Sequence, residues 1–224
     1  MCGIFGSNDR ERFLTLYELN KQRGTFATSI SVVLENGDLP VMKWQGSPAV
    51  KTVEDQLKII DKESKATAFL GHTQAPTSAK REYSKTTSHP FNTEGWTVAH
   101  NGVLTNFEEI KINMLPKWKN PVDSSTIPAI INSLCKEGKD PLDALSKGLS
   151  LLEGTFGLWI YSSIDLRIYI ARCGSTLFAN LLSNDFSSTK FKNSEALEEG
   201  YIYQLTREGL TSVSQFDFNS PFFT

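Results

Sequence analysis

Long apolar runs are missing from this chain. None reaches the roughly 18 consecutive residues that a membrane-spanning helix requires, and the first thirty residues have no basic start leading into an apolar stretch. This excludes a bilayer partner and a visible export signal, and a cytoplasmic protein is expected. Cysteine is scarce: Cys2, Cys135 and Cys173 lie far apart with no Cys-x-x-Cys pair, which argues against a disulfide framework and fits a reducing compartment. Net charge is small as well. With 23 Lys and Arg against 25 Asp and Glu, a formal charge of -2 and a pI near 6.0, nothing draws the chain toward phosphate backbones or anionic lipid. The basic and aromatic cluster Lys111, Lys117, Trp118 and Lys119 is short, is interrupted by Pro116 and reads as a solvated loop. No direct nucleic-acid binding is expected. His72, His89 and His100 show none of the local ligand pairing of zinc sites, so no metal and no cofactor is expected. No repeat, low-complexity segment or Pro/Gly/Ser linker divides the sequence, and residues 1–224 read as one domain.

What is present is an ordinary globular composition, 39% apolar and 21% charged over 224 residues, long enough to bury a core. Cys2 to Gly6 reads as a buried first strand. Phe13, Leu16 and Tyr17 fall at helical spacing between Asn8 and Arg23, ahead of Gly24. From Thr25 the apolar residues Phe26, Ile30, Val32 and Leu34 take even positions, and Asn36-Gly37 turns the chain into Leu39 to Trp44, which predicts a hairpin of core strands. A helix is expected from Val53 to Lys62, capped by Thr52, and another from Asn106 with Glu109 three residues on. Strands at Ala66 to Gly71 and Trp96 to His100 run into polar segments that read as turns, Gly71-His72-Thr73 and His100-Asn101-Gly102. Two helices follow, marked by Ile127 to Leu134 and Leu142 to Leu152. After Gly154 come strands at Leu158–Ser162, Leu166–Arg172, Thr176–Leu182, Tyr201–Thr206 and Leu210–Phe216. Strands, a helical pair and more strands, without βα alternation, predict an α+β protein of antiparallel sheets layered with helices.

The start Met1-Cys2-Gly3 carries chemistry. Cysteine is small enough for an aminopeptidase to remove Met1, and the chain would then begin with a thiol and a free α-amine on one residue. The thiolate is the nucleophile, and a free thiol near pKa ~8.5 is only a few per cent ionised at neutral pH. An α-amine, titrating near ~7.7–8.0, can serve as its base directly or through one water. The plain alternative is that Cys2 is a small apolar residue opening a buried strand. A pairing of Cys2 with His89 or His100 is a further alternative, and one that an N-terminal cysteine does not need. Amide hydrolysis also requires donors for an oxyanion. Asn101 and Gly102 could supply a side-chain amide and a backbone N–H, although Asn-Gly alone reads as a hairpin turn before it reads as an oxyanion hole.

Six segments occur together and in order: Cys2-Gly3-Ile4-Phe5-Gly6, Gly71-His72-Thr73-Gln74-Ala75-Pro76-Thr77, His89-Pro90, His100-Asn101-Gly102-Val103-Leu104-Thr105-Asn106, Asp123-Ser124 and Leu197-Glu198-Glu199-Gly200. In this order and spacing the chain resembles the glutaminase domain of class II glutamine amidotransferases over nearly its whole length. The resemblance implies the four-layer αββα sandwich of N-terminal-nucleophile hydrolases. It implies Cys2 as nucleophile on the side-chain amide of glutamine, Asn101 and Gly102 as oxyanion donors, and Asp123 as acceptor for the α-ammonium. Thr77 and the residue at position 74 would bind the carboxylate. Without the family, Asp123 reads as a cap ahead of a helix.

Position 74 departs from the pattern. Many members have arginine there, clamping the carboxylate; this chain has Gln74, followed by Ala75-Pro76. Losing a charge-assisted contact costs on the order of 1.5–3 kcal/mol of binding. Gln74 could donate its amide N–H and tolerate weak binding, Arg81 could supply the charge, or the substrate could be another amide. Because the chain closes at Thr224, about where such a glutaminase domain finishes, the ammonia acceptor is expected on a separate synthetase subunit, with no synthetase domain here. The rival expectations are an amidohydrolase acting on a different amide and a non-catalytic scaffold or regulatory subunit.

Overall fold

The structure is a computed structural model that describes residues 1–75 and 82–218. The chain order is β1 (Gly3–Ser7), α1 (Arg10–Lys21), β2 (Ala27–Leu34), β3 (Val41–Gln45), α2 (Val50–Glu63), β4 (Ala66–Gln74), β5 (Phe91–Asn92), β6 (Trp96–Leu104) and α3 (Phe107–Met114). A 3-10 turn at Asp123–Ser125 then leads into α4 (Thr126–Lys136), α5 (Pro141–Ser150), β7 (Gly154–Ser162), β8 (Arg167–Cys173), β9 (Phe178–Asn180), β10 (Asp185–Ser187), β11 (Glu195–Ala196), β12 (Tyr201–Leu205) and β13 (Leu210–Gln215). One sheet has the order β11-β9-β10-β1-β4-β2-β3 and the other β13-β12-β8-β7-β6-β5, with antiparallel pairing between neighbours.

Strand alternation divides the apolar residues of the two sheets among three layers. Phe5, Ile30, Val32 and Phe69 point away from the sheet interface and meet Phe13, Leu16 and Tyr17 of α1 with Val53 and Leu57 of α2. Their strand neighbours Ile4, Val33, Ala68 and Leu70 point inward against Ala99, Trp159, Tyr161, Ile168 and Ile170 of the second sheet. On the far side Val98, Phe156, Leu158, Ile160 and Tyr169 pack on Ile127, Ile130, Ile131 and Leu134 of α4 and on Leu145 and Leu149 of α5. The result is helix, sheet, sheet, helix: the four-layer αββα sandwich expected. The buried Trp159 ties the sheets together by donating its indole N–H to the carbonyl of Gly71 at 3.0 Å, so this interior donor is satisfied.

The expected turns after Gly71 and His100 are strand interiors. β4 continues to Gln74 with Gly71, His72 and Thr73 paired to β1 and β2. β6 runs through Asn101 and Gly102, which pair with Gly157 and Phe156. Backbone partners on neighbouring strands override the local turn preference of Asn-Gly. Helix α2 starts at Val50, before Thr52. Asn106 does not cap α3 with its side chain; its amide instead bridges to Leu151 O and Glu153 N at 2.9 and 3.0 Å, tying the start of α3 to the end of α5. The segment expected as one long strand at Thr176–Leu182 is the short β9, and β10 and β11 complete that edge.

Candidate active site

β1, β4 and β6 bring their ends to one rim of the sandwich, and a cavity of about 880 Å³ opens there. Cys2, Gln74, Gly102 and Asp123 all line it, together with His89, His100, Ser124, Phe107 and the stretch Glu82-Tyr83-Ser84. Four of the six site residues expected from sequence therefore share one space. Asn101, buried beside Gly102, does not line the cavity: alternation turns its side chain between the sheets, where Nδ2 reaches Ser188 Oγ at 3.2 Å and Ser175 Oγ at 3.5 Å. Thr77 lies outside the described residues, as does Arg81.

Cys2 is half-buried, one residue before β1, and Met1 ahead of it is 84% exposed. Its backbone is held by Arg23, whose Nε donates to the Cys2 carbonyl at 2.9 Å while its other nitrogens reach Ser188 O and Thr176 Oγ1 at 3.3 and 3.4 Å. Burial pushes the Arg23 guanidinium below its ordinary value, and the nearby Cys2 pulls it back up. A guanidinium remains charged under such a shift, and a cation at this place favours a thiolate. Ser188 Oγ accepts the N–H of Ile4 at 3.0 Å as well as the amide of Asn101. One hydroxyl thus couples the Cys2 strand to the Asn101 strand. Gly3 sits in close quarters beside Cys2: a Cβ there would lie 2.8 Å from both Asn20 Oδ1 and Thr73 Oγ1, and those side chains would have to shift.

Gly102 has no room for any side chain: a Cβ would sit 2.0 Å from the Thr155 carbonyl oxygen and 2.8 Å from His100 Nε2. Its φ of +154° adds backbone strain for other residues.

Asp123 does not cap α4. Oδ2 accepts the Leu104 N–H at 3.1 Å, and Oδ1 lies 3.1 Å from the Ser124 hydroxyl. That hydroxyl has one proton and a second acceptor, His100 Nδ1, at 2.8 Å. The other ring nitrogen, Nε2, faces the Thr155 carbonyl at 3.1 Å and must carry a proton to bond there. Burial pushes His100 below its ordinary value, against the pull of Asp123, so the ring is neutral near pH 7 and Nδ1 is left as an acceptor. The Ser124 proton then goes to the ring, and among the described residues no other donor is placed on Asp123 Oδ1. A cationic group entering the cavity could donate to that oxygen.

Arg23, Ser188 and Ser124 are the residues of this site that carried no assigned role in the sequence reading. Arg23 stood next to a glycine after a helix, a pattern that only signals a helix end; Ser188 lay in a polar stretch indistinguishable from a loop, and Ser124, although part of the Asp123-Ser124 segment, read as the start of a helix.

The four-layer αββα sandwich recurs in solved structures. Two solved structures share it across 98% of this chain: one described as the allosteric regulatory enzyme of purine biosynthesis, with TM-score 0.74 and 20% identity, and the glutamine phosphoribosylpyrophosphate amidotransferase of B. subtilis, with TM-score 0.71 and 19% identity. This chain covers 50% of each. A glutamine aminotransferase class-II domain protein from Silicibacter pomeroyi aligns over its full length with TM-score 0.58. No family model matches the sequence. Among curated proteins the chain is 30% identical over 191 residues to glutamine–fructose-6-phosphate aminotransferase (isomerizing) of Shouchella clausii, and 29% identical over 211 residues to that of Oceanobacillus iheyensis. These alignments cover 82% and 88% of this chain but 31% and 34% of the relatives, so it spans about a third of their length. Over four fifths or more of its own length the chain is thus similar to about a third of each glutamine–fructose-6-phosphate aminotransferase, and it shares its fold with the solved amidotransferase structures.

Proposed function

We propose that this chain hydrolyses the side-chain amide of glutamine at Cys2 and releases ammonia for a synthetase. The observation that carries the reading is that Cys2, Gly102 and the charged Asp123 open on the same cavity. Removal of Met1 exposes the α-amine of Cys2, which takes the thiol proton as sulfur attacks the amide carbon. The Gly102 N–H is the oxyanion donor at the cavity, and the Asn101 amide, held between the sheets by Ser188 Oγ at 3.2 Å, would have to leave that partner to serve as the second. The C–N bond then breaks, the ammonium of Cys2 returns the proton to the leaving nitrogen, and ammonia departs from a γ-glutamyl thioester that water hydrolyses. Asp123 holds the α-ammonium, and Gln74 and Thr77 hold the carboxylate. Gln74 is buried, with its backbone pinned by the Phe26 N–H at 2.9 Å and by close contact with Gly24, and it serves as a neutral N–H donor.

Intact mass before and after treatment with a glutamine-like diazoketone tests the mechanism. The expected result is a chain lacking Met1 that gains one adduct, located by peptide mapping at Cys2. Retained Met1 or an unlabelled Cys2 would overturn it.

The ammonia acceptor is proposed to sit on a separate synthetase chain. Affinity capture from the native host should recover an enzyme of that class with this protein; capture that recovers none would remove the proposal.

A further inference from the structure

One wall of the cavity is a segment without helix or strand, residues 82–90, which contributes Glu82, Tyr83, Ser84, Thr87 and His89. Such a stretch needs partners for its backbone carbonyls. Three of them are supplied by one side chain from β3, an edge strand of the seven-stranded sheet. The Lys43 ammonium on β3 donates to Lys85 O at 2.8 Å, Ser88 O at 2.7 Å and Pro90 O at 2.9 Å, using all three of its protons. Strand register explains its aim. His72, Ser29 and Lys43 stand side by side across β4, β2 and β3, in the same row as Ile4, so they face the same side of the sheet. His72 stacks on His89 with ring centroids 4.0 Å apart, while Lys43 takes the carbonyls on either side of His89. From the other flank Asn120 Nδ2 holds Thr86 O at 3.0 Å.

We propose that Lys43 is a positioning residue for substrate binding: its ammonium fixes the 82–90 segment so that the cavity wall is formed before the substrate arrives. Lys43 does not line the cavity and takes no part in bond breaking. It lowers the entropy that the wall would otherwise lose on binding. Within the segment Ser84 Oγ accepts the Thr87 N–H at 3.1 Å and Ser88 Oγ donates to Ser84 O at 2.5 Å, while the carbonyls of Lys85, Ser88 and Pro90 take their donors from Lys43.

This inference rests on the cavity being the glutamine site, so the experiment separates the two. K43M keeps the aliphatic stem and loses every donor; K43R keeps charge and donors. In K43M, amide hydrogen exchange across 82–90 should quicken about tenfold or more while β1, β4 and β6 keep wild-type protection. The KM for glutamine should rise about tenfold with kcat within about threefold. Reaction of Cys2 with iodoacetamide, which needs no ordered wall, should be unchanged, and labelling by the diazoketone should slow in step with KM. K43R should recover part of both losses. If the wild type hydrolyses no glutamine, the functional reading fails and the exchange data still decide the role of Lys43. Unchanged exchange at 82–90 together with an unchanged KM would overturn the proposal. So would a kcat loss without a KM change. Should K43M fail to fold, K43R decides: wild-type exchange at 82–90 is expected, and tenfold loosening there despite retained charge and donors would overturn the proposal.

Discussion

Replacing Cys2 by alanine is expected to abolish glutamine hydrolysis, lowering kcat by at least about a thousandfold and leaving only what the pocket contributes without a nucleophile. The fold should be indifferent to the change. Cys2 is half-buried, precedes β1, and is held through its carbonyl by Arg23, a bond that alanine keeps. Wild-type and C2A proteins should therefore unfold at the same denaturant concentration, while only the wild type releases ammonia and takes the diazoketone. C2S separates the nucleophile from its base: an alcohol is a far weaker nucleophile than a thiol at neutral pH, so it should be slowed by orders of magnitude yet remain above C2A. Hydrolysis in C2A at more than about a tenth of the wild-type rate would show that another group attacks the amide. Equal loss of activity and of denaturation midpoint would show instead that Cys2 is structural.

The layered fold was legible in the sequence because burial writes itself as periodicity. Ile30 and Val32 alternate with inward residues on β2, and Leu142, Leu145 and Leu149 repeat at helical spacing on α5. The ends of β4 and β6 were not legible. Gly71-His72-Thr73 and His100-Asn101-Gly102 have local turn chemistry, and only partners distant in sequence, β1 and β2 for one and β7 for the other, keep them extended. His100 and Gly102 line the cavity, as does Gln74 at the end of β4, so the strand ends where local preference failed coincide with the candidate site. The short β10 and β11 were missed for a related reason: Asp185-Phe186-Ser187 has a single large apolar residue, too few for alternation to register. Cys2, Gly102 and Asp123 were identified through the order and spacing of motifs. Arg23 and Ser188 could not be found that way, because their roles depend on hydrogen bonds that close 165 residues apart in the chain.

The second large effect is expected at Asp123. In D123N the side chain keeps its shape, and its carbonyl oxygen can still accept the Leu104 N–H, which the carboxylate takes at 3.1 Å. The turn into α4 should hold, and thermal stability should move little. What disappears is the negative charge. A charge-assisted bond to a partly desolvated ammonium is worth about 2–3 kcal/mol, which translates to a rise in KM for glutamine of about 30- to 150-fold. The effect belongs to the α-amine of the substrate and can be isolated. Glutaramate is glutamine without that amine, so the wild type should prefer glutamine over glutaramate by the factor that D123N loses, and D123N should treat the two nearly alike. This double comparison removes any general damage to the pocket, since such damage would weaken both substrates together. Equal losses on both would mean that Asp123 supports the wall and does not touch the ammonium. A preserved preference for glutamine in D123N would move the ammonium site elsewhere in the cavity, to Glu82, the other carboxylate on its lining.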